Sequence, residues 1–117
     1  MIDMQIIDRA VMADGTKIQL EDWHSKNSEK YPDLHGYTIS AYPIAKNTSR
    51  FGWIRKGEMF RLAIARNEYA NYTDDMVLAD YEALKNGTKS LADLREHFWN
   101  REKDAFYLGL VDKEPEW

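Results

Sequence analysis

From Thr16 to Trp23 apolar and polar residues alternate, Ile18 and Leu20 against Lys17, Gln19 and Glu21. This period of two is the mark of a half-buried strand. Met4 to Met12 is rich in Ile, Val and Met, and Asp14-Gly15 separates the two runs. A glycine after an acidic residue is a strong turn signal, so the pair predicts a hairpin. A two-residue loop would set Asp8 against Glu21, a like-charge pair. A loop one residue longer pairs Arg9 with Glu21 and Met12 with Ile18, and is the register expected.

Residues 24–36 are polar and turn-rich, which predicts a surface loop. Tyr37 to Ala45 reads as a further strand. Pro43 has no N–H for a ladder, so it belongs at an edge or a strand end. Phe51 to Ala65 predicts a second hairpin turning at Lys56-Gly57. Arg55 then faces Glu58, Trp53 faces Phe60 and Phe51 faces Leu62. One face collects the rings; Arg50, Ile54, Lys56, Met59 and Arg61 share the other.

The remainder reads as helical. Thr73 is an N-cap candidate, followed by Asp74 and Asp75 where the helix dipole favours acid. Val77, Tyr81 and Leu84 form an apolar stripe, and Asn86-Gly87 is a stop signal. Ser90 and Asp93 resemble a capping box. Leu91, Leu94, Phe98, Ala105 and Leu108 suggest one long helix ending at Gly109, although Arg101 and Glu102 interrupt the stripe. The alternative is a stop near Lys103 and a final strand over 105–111.

The fold class expected is α+β, one domain over residues 1–117. Residues 1–66 supply an antiparallel sheet of about five strands, two hairpins plus one strand. Two helices within 73–109 cover one face, and 112–117 is a frayed tail. Phe51, Trp53, Phe60, Leu62 and Ile64 are expected to meet Val77, Tyr81, Leu84, Leu94 and Phe98.

Composition narrows the chemistry. The 117 residues are 44% hydrophobic and 13% aromatic, enough for one core and too apolar for a disordered chain. Absence of cysteine removes disulfides, thiolate metal sites and a cysteine nucleophile. No run of about 18 apolar residues predicts a membrane span. The opening does not resemble a signal peptide, so a cytoplasmic protein is expected. Asn47-Thr48-Ser49, Asn71-Tyr72-Thr73 and Asn86-Gly87-Thr88 match the glycosylation pattern, and are read as chance matches in turn-forming composition.

Charge changes the picture most. The chain carries −4 overall, divided as −3 over 1–45, +5 over 46–66 and −6 over 67–117. Such asymmetry speaks of partners, not of fold. The six glycines are isolated, so no phosphate-cradling loop is expected. No serine lies in a strand–turn–helix nucleophile motif. Asp93, His97 and Arg101 are read as a solvated helix face, and His24 and His35 as loop residues without ligand spacing. No catalytic residue, metal ligand or cofactor is therefore expected.

These patterns point to a non-enzymatic interaction or regulatory domain. Its basic sheet face (Arg50, Ile54, Lys56, Met59, Arg61) would bind a protein partner or a second copy, with Trp99 a candidate exposed aromatic. Nucleic-acid binding through the 50–66 hairpin is the alternative. The acidic total and the inward-facing rings argue against it. A small enzyme with a carboxylate or His97 site is a further alternative.

Overall fold

The computed structural model describes residues 2–25, 34–50, 53–66 and 71–115. Four strands, β1 (Ile2–Val11), β2 (Lys17–Ser25), β3 (Leu34–Tyr42) and β4 (Leu62–Ala65), form an antiparallel sheet in chain order. Helix α1 (Asp74–Asn86), a 3-10 helix (Ala92–His97) and α2 (Arg101–Tyr107) follow. The fold is α+β, as the alternation and stripe patterns predict. None of the described helices is long and apolar enough to cross a membrane.

Period two does the sorting. Ile18, Leu20, Ile39, Ala41, Leu62 and Ile64 are buried on one face. They join Val77, Tyr81, Leu84, Leu94, Phe98, Phe106 and Tyr107 in a single core. Helix α1 starts where Thr73 Oγ1 accepts the Met76 N–H and ends at Gly87, whose φ of 80° suits a residue without Cβ. The Ser90–Asp93 box closes in both directions, with Asp93 Oδ2 2.8 Å from the Ser90 nitrogen and Ser90 Oγ 3.4 Å from that of Asp93.

The first hairpin closes on a three-residue loop, as Met12 N–H donates to Thr16 O (2.8 Å) and Gly15 takes φ 91°. The loop is centred one residue earlier than expected. Arg9 therefore pairs with Gln19 and Ala10 with Ile18, not Arg9 with Glu21. A shift of two preserves which face each residue occupies. A bulge between Ile6 and Asp8 then alters the register along β1. The expected 24–36 loop is corrected at both ends, and residues 26–33 lie outside the described residues. His24 and Ser25 extend β2, and Leu34 to Gly36 open β3.

The second expected hairpin is corrected. The chain turns at Lys56-Gly57, with Gly57 at φ 93° and the Glu58 N–H donating to Arg55 O (3.0 Å). The returning segment pairs with β3 and not with residues 53–55. Phe60 N–H donates to Pro43 O, Ala45 N–H donates to Glu58 O, and Ile44 bridges Met59. Pro43 lies just past the end of β3 and contributes its carbonyl alone. Among the described residues the sheet thus has four strands. Phe60, Leu62 and Ile64 are buried as expected, whereas Trp53 is 78% exposed. Phe51 lies outside the described residues.

The long C-terminal helix is also corrected. Phe98 takes extended geometry and bridges Ile64, and Trp99 N–H donates to Ala63 O (2.9 Å). This short extended piece lies along β4, and α2 begins only at Arg101. Polar Arg101 and Glu102, the gap in the stripe, mark the restart. Gly109 ends α2 at φ 76°. In the tail the Glu114 carboxylate accepts the Arg50 backbone N–H; residues 116–117 lie outside the described residues.

Candidate interaction face and metal-ligand cluster

With the helices on the core side, the other sheet face carries the residues opposite in parity to Ile18 and Leu20. Along β1 these are Met4, Ile6, Arg9 and Val11; along β2, Lys17, Gln19, Glu21 and Trp23. Gly36, Thr38, Ser40 and Tyr42 follow on β3, then Arg61 and Ala63 on the β4 side. Ile44 and Met59 extend the face past Pro43 and are 55% and 61% exposed. Arg9, Lys17 and Arg61 set three cations against the one carboxylate of Glu21.

Glu21 is fully buried here (1% exposed). Its Oε1 accepts from Gln19 Nε2 (2.6 Å), and Arg61 Nη2 stands 3.5 Å from its Oε2. The same Nη2 donates to Ser40 Oγ (2.9 Å). Oε2 has no well-formed hydrogen bond, so the ion pair alone balances it.

The residues expected to form one basic face are divided. Met59 and Arg61 lie on the open face. Ile54 packs at the margin of the core, a correction to its expected exposure. Arg50 and Lys56 belong to the loop before β4; Arg50 pairs with Glu114 (4.0 Å) and the Lys56 N–H donates to Thr48 Oγ1 (2.8 Å). Much of the +5 segment is balanced inside the fold, since Arg61 meets Glu21 and Arg66 meets Asp74 (3.6 Å). Trp99 is exposed and sits beside Ala63 at the β4 edge. Arg9 and Lys17, which the sequence reading did not select, join this face through register alone.

His97 is not on a solvated face. Its ring stacks on Tyr72 with centroids 3.6 Å apart and planes 5° off parallel, and its Nδ1 is buried without a partner. Tyr72 donates to Asp80 Oδ2 (2.6 Å), and Lys89 donates to Asp80 Oδ1 (2.7 Å). Burial and the Asp80 hydrogen bond push the Tyr72 phenol well above its ordinary value, which makes it a structural donor rather than an acid.

A second cluster lies on the core-side parity, at the end of the sheet near the β2–β3 connection. Asp22 and His24 are two apart on β2, and His35 is directly opposite His24 on β3. Asp22 Oδ1 is 2.7 Å from His35 Nε2 and 3.7 Å from His24 Nε2. The two imidazoles stack at 4.7 Å, and Tyr37 meets His35 edge-on at 5.4 Å. The Arg66 guanidinium donates to the His35 carbonyl while facing Asp74, so β4 and the start of α1 hold this strand end. Sequence reasoning missed the cluster by ending β2 too early. Carrying the alternation on through Asp22 and His24, and back through Tyr37 and His35, puts all four side chains on one face. No family model, curated protein or solved structure matches this chain.

Proposed function

We propose that the protein is a non-enzymatic interaction or regulatory domain whose open sheet face docks a protein partner. The partner chemistry that fits is an acidic surface with an apolar centre. One observation carries the reading: Arg9, Lys17 and Arg61 stand among Val11, Tyr42, Ile44 and Met59 on a face that none of the described helices covers. Arginine, methionine and aromatic side chains are the types enriched in interface centres. Complementary charge would govern the encounter rate, and apolar burial the residence time. The helical half, which is acidic, makes a second copy the competing occupant; a head-to-tail contact of that kind would build rings or open chains rather than two-fold dimers.

The test is affinity capture from native extract, identification of the bound protein by mass spectrometry, and titration of that protein in purified form. The double variant Arg9→Glu/Lys17→Glu leaves the Glu21–Arg61 pair intact. It should weaken binding and flatten its dependence on salt. Equal affinity for wild type and variant removes the reading, and a partner identified as the chain itself replaces it with self-assembly.

Nucleic acid is the second reading, because Trp53 is exposed on the segment that carries Arg50, Arg55 and Lys56. That arrangement supplies the exposed ring beside cations that base stacking needs. It requires a salt-dependent mobility shift that Trp53→Ala weakens. No shift at low salt and high protein concentration excludes it.

A further inference from the structure

We infer that Asp22, His24 and His35 form a transition-metal site, with two imidazoles and one carboxylate as ligands and an open side toward solvent. The three donor atoms lie within 4.8 Å of one another. Around a tetrahedral zinc with bonds near 2.1 Å, neighbouring donors stand about 3.4 Å apart. The observed separations of 2.7 and 3.7 Å from Asp22 Oδ1 bracket that value. The third pair, between the two imidazoles, lies within 4.8 Å, so side-chain rotation that closes it by up to about 1.4 Å brings all three donors to ligand spacing.

The arrangement is built by the backbone. Residues two apart on a strand share a face, and the residue in register on the next strand lies about 4.8 Å away. Two strands therefore deliver three ligands from a frame the sheet already fixes. The orientation of both rings is specific as well, since each Nε2 turns toward the same carboxylate oxygen. His35 is hydrogen-bonded to Asp22 (2.7 Å), and His24, stacked on His35, stands 3.7 Å from the same oxygen. A cation placed among them would displace the hydrogen-bonding proton between Asp22 and His35. The surroundings hold His35 firmly, through the Arg66 contact to its carbonyl and the Tyr37 ring at its edge.

The donor set selects the ion. Imidazole nitrogen suits zinc, nickel, cobalt and copper, while magnesium and calcium prefer oxygen alone. His24 keeps 57% and His35 42% of its side chain exposed. Three protein ligands at an open surface leave at least one coordination position for water or a small ligand, unlike a closed four-ligand structural site.

The experiment is calorimetric titration of the purified full-length chain with zinc chloride, and with magnesium chloride as comparison. Histidine ring proton resonances are followed in parallel. One equivalent of zinc should bind, and the His24 and His35 resonances should shift or broaden while that of His97 stays in place. His24→Ala, which removes an exposed side chain, and Asp22→Asn should each weaken binding at least tenfold with unchanged thermal stability of the metal-free chain. Absence of zinc binding overturns the inference. So does zinc affinity that His24→Ala leaves intact, or magnesium binding of equal strength. The docking of a protein partner on the opposite face stands or falls separately.

Discussion

Arg61, the residue just before β4, reaches across β3 to Glu21 of β2, placing its Nη2 3.5 Å from a carboxylate oxygen that is sealed from water. A buried charge is tolerated only when it is paired, so this contact supports the centre of the open face. The guanidinium is itself half in water. Removing it by Arg61→Ala should therefore cost about 1–3 kcal/mol, below the range for a fully enclosed pair. Glu21→Gln placed in the Arg61→Ala background should restore part of the loss, because a neutral amide does not need the cation. Urea unfolding of the four proteins in this cycle measures the coupling, and zero coupling would show that Glu21 is balanced elsewhere.

Gly36 supports the face differently. A Cβ there would approach the Trp23 ring to 2.7 Å, closer than carbon atoms can stand. Gly36→Ala should drive Trp23 from its seat at a cost of about 1–3 kcal/mol, the range for overpacking. A red shift of tryptophan emission that is absent in a Trp23→Phe background would report the displacement. Wild-type stability and emission in Gly36→Ala would show that the indole moves aside freely.

The elements that local chemistry determines were legible in the chain. Thr73, Gly87 and the Ser90–Asp93 box act within a few residues of themselves; the first two cap α1 as the sequence predicts, and the box closes but opens a 3-10 helix whose N-cap is Leu91. The turn at Lys56-Gly57 is local too. What that turn joins is not: the local alternation set Phe60 against Trp53, whereas pairing with a segment distant in sequence places it against Pro43. Phe98 and Trp99 likewise leave the helical course for a contact with β4 that no local signal encodes. The candidate sites follow the same division. His24 and His35 are eleven positions apart with a polar stretch between them, so their juxtaposition exists only once β2 and β3 are in register. Arg9 and Lys17 reach the open face in the same way, whereas the basic cluster at 46–66 is conspicuous in sequence and partly balanced by Glu21, Asp74 and Glu114 in the fold.

Tyr72, Asp80 and Lys89 join the segment before α1 to the residues after it. Tyr72→Phe keeps the ring stacked on His97 and removes only the hydroxyl that meets Asp80. The Asp80 carboxylate retains Lys89, so the expected cost is about 1–2 kcal/mol. Tyr72→Ala also deletes a fully buried ring and should cost about 3–5 kcal/mol. Equal losses in denaturant unfolding would mean that the hydroxyl, not the ring, carries the stabilisation.

Two aspartates should give the stability curve opposite slopes in acid. Burial pushes Asp104 up from 3.8 to about 6, so the folded chain holds that proton more tightly than the unfolded chain. Its cost is absent below the unfolded value, grows as pH rises from about 4 to 6, and is complete at neutrality. Asp104→Asn should accordingly stabilise the protein at pH 7 by about 2 kcal/mol after allowance for partial screening by water, and make little difference at pH 4. Asp8 is shifted the other way. Its Oδ2 accepts hydrogen bonds from Lys85 and Tyr81, each 3.0 Å away, which hold its carboxyl below the usual value. That contribution is present at neutral pH and is lost as pH falls through the folded-state value. Asp8→Asn should therefore destabilise at pH 7 and converge on wild type in acid. Melting temperatures of the three proteins between pH 3 and 8 separate the effects, and a pH-independent difference for Asp104→Asn would mean that burial does not raise its titration.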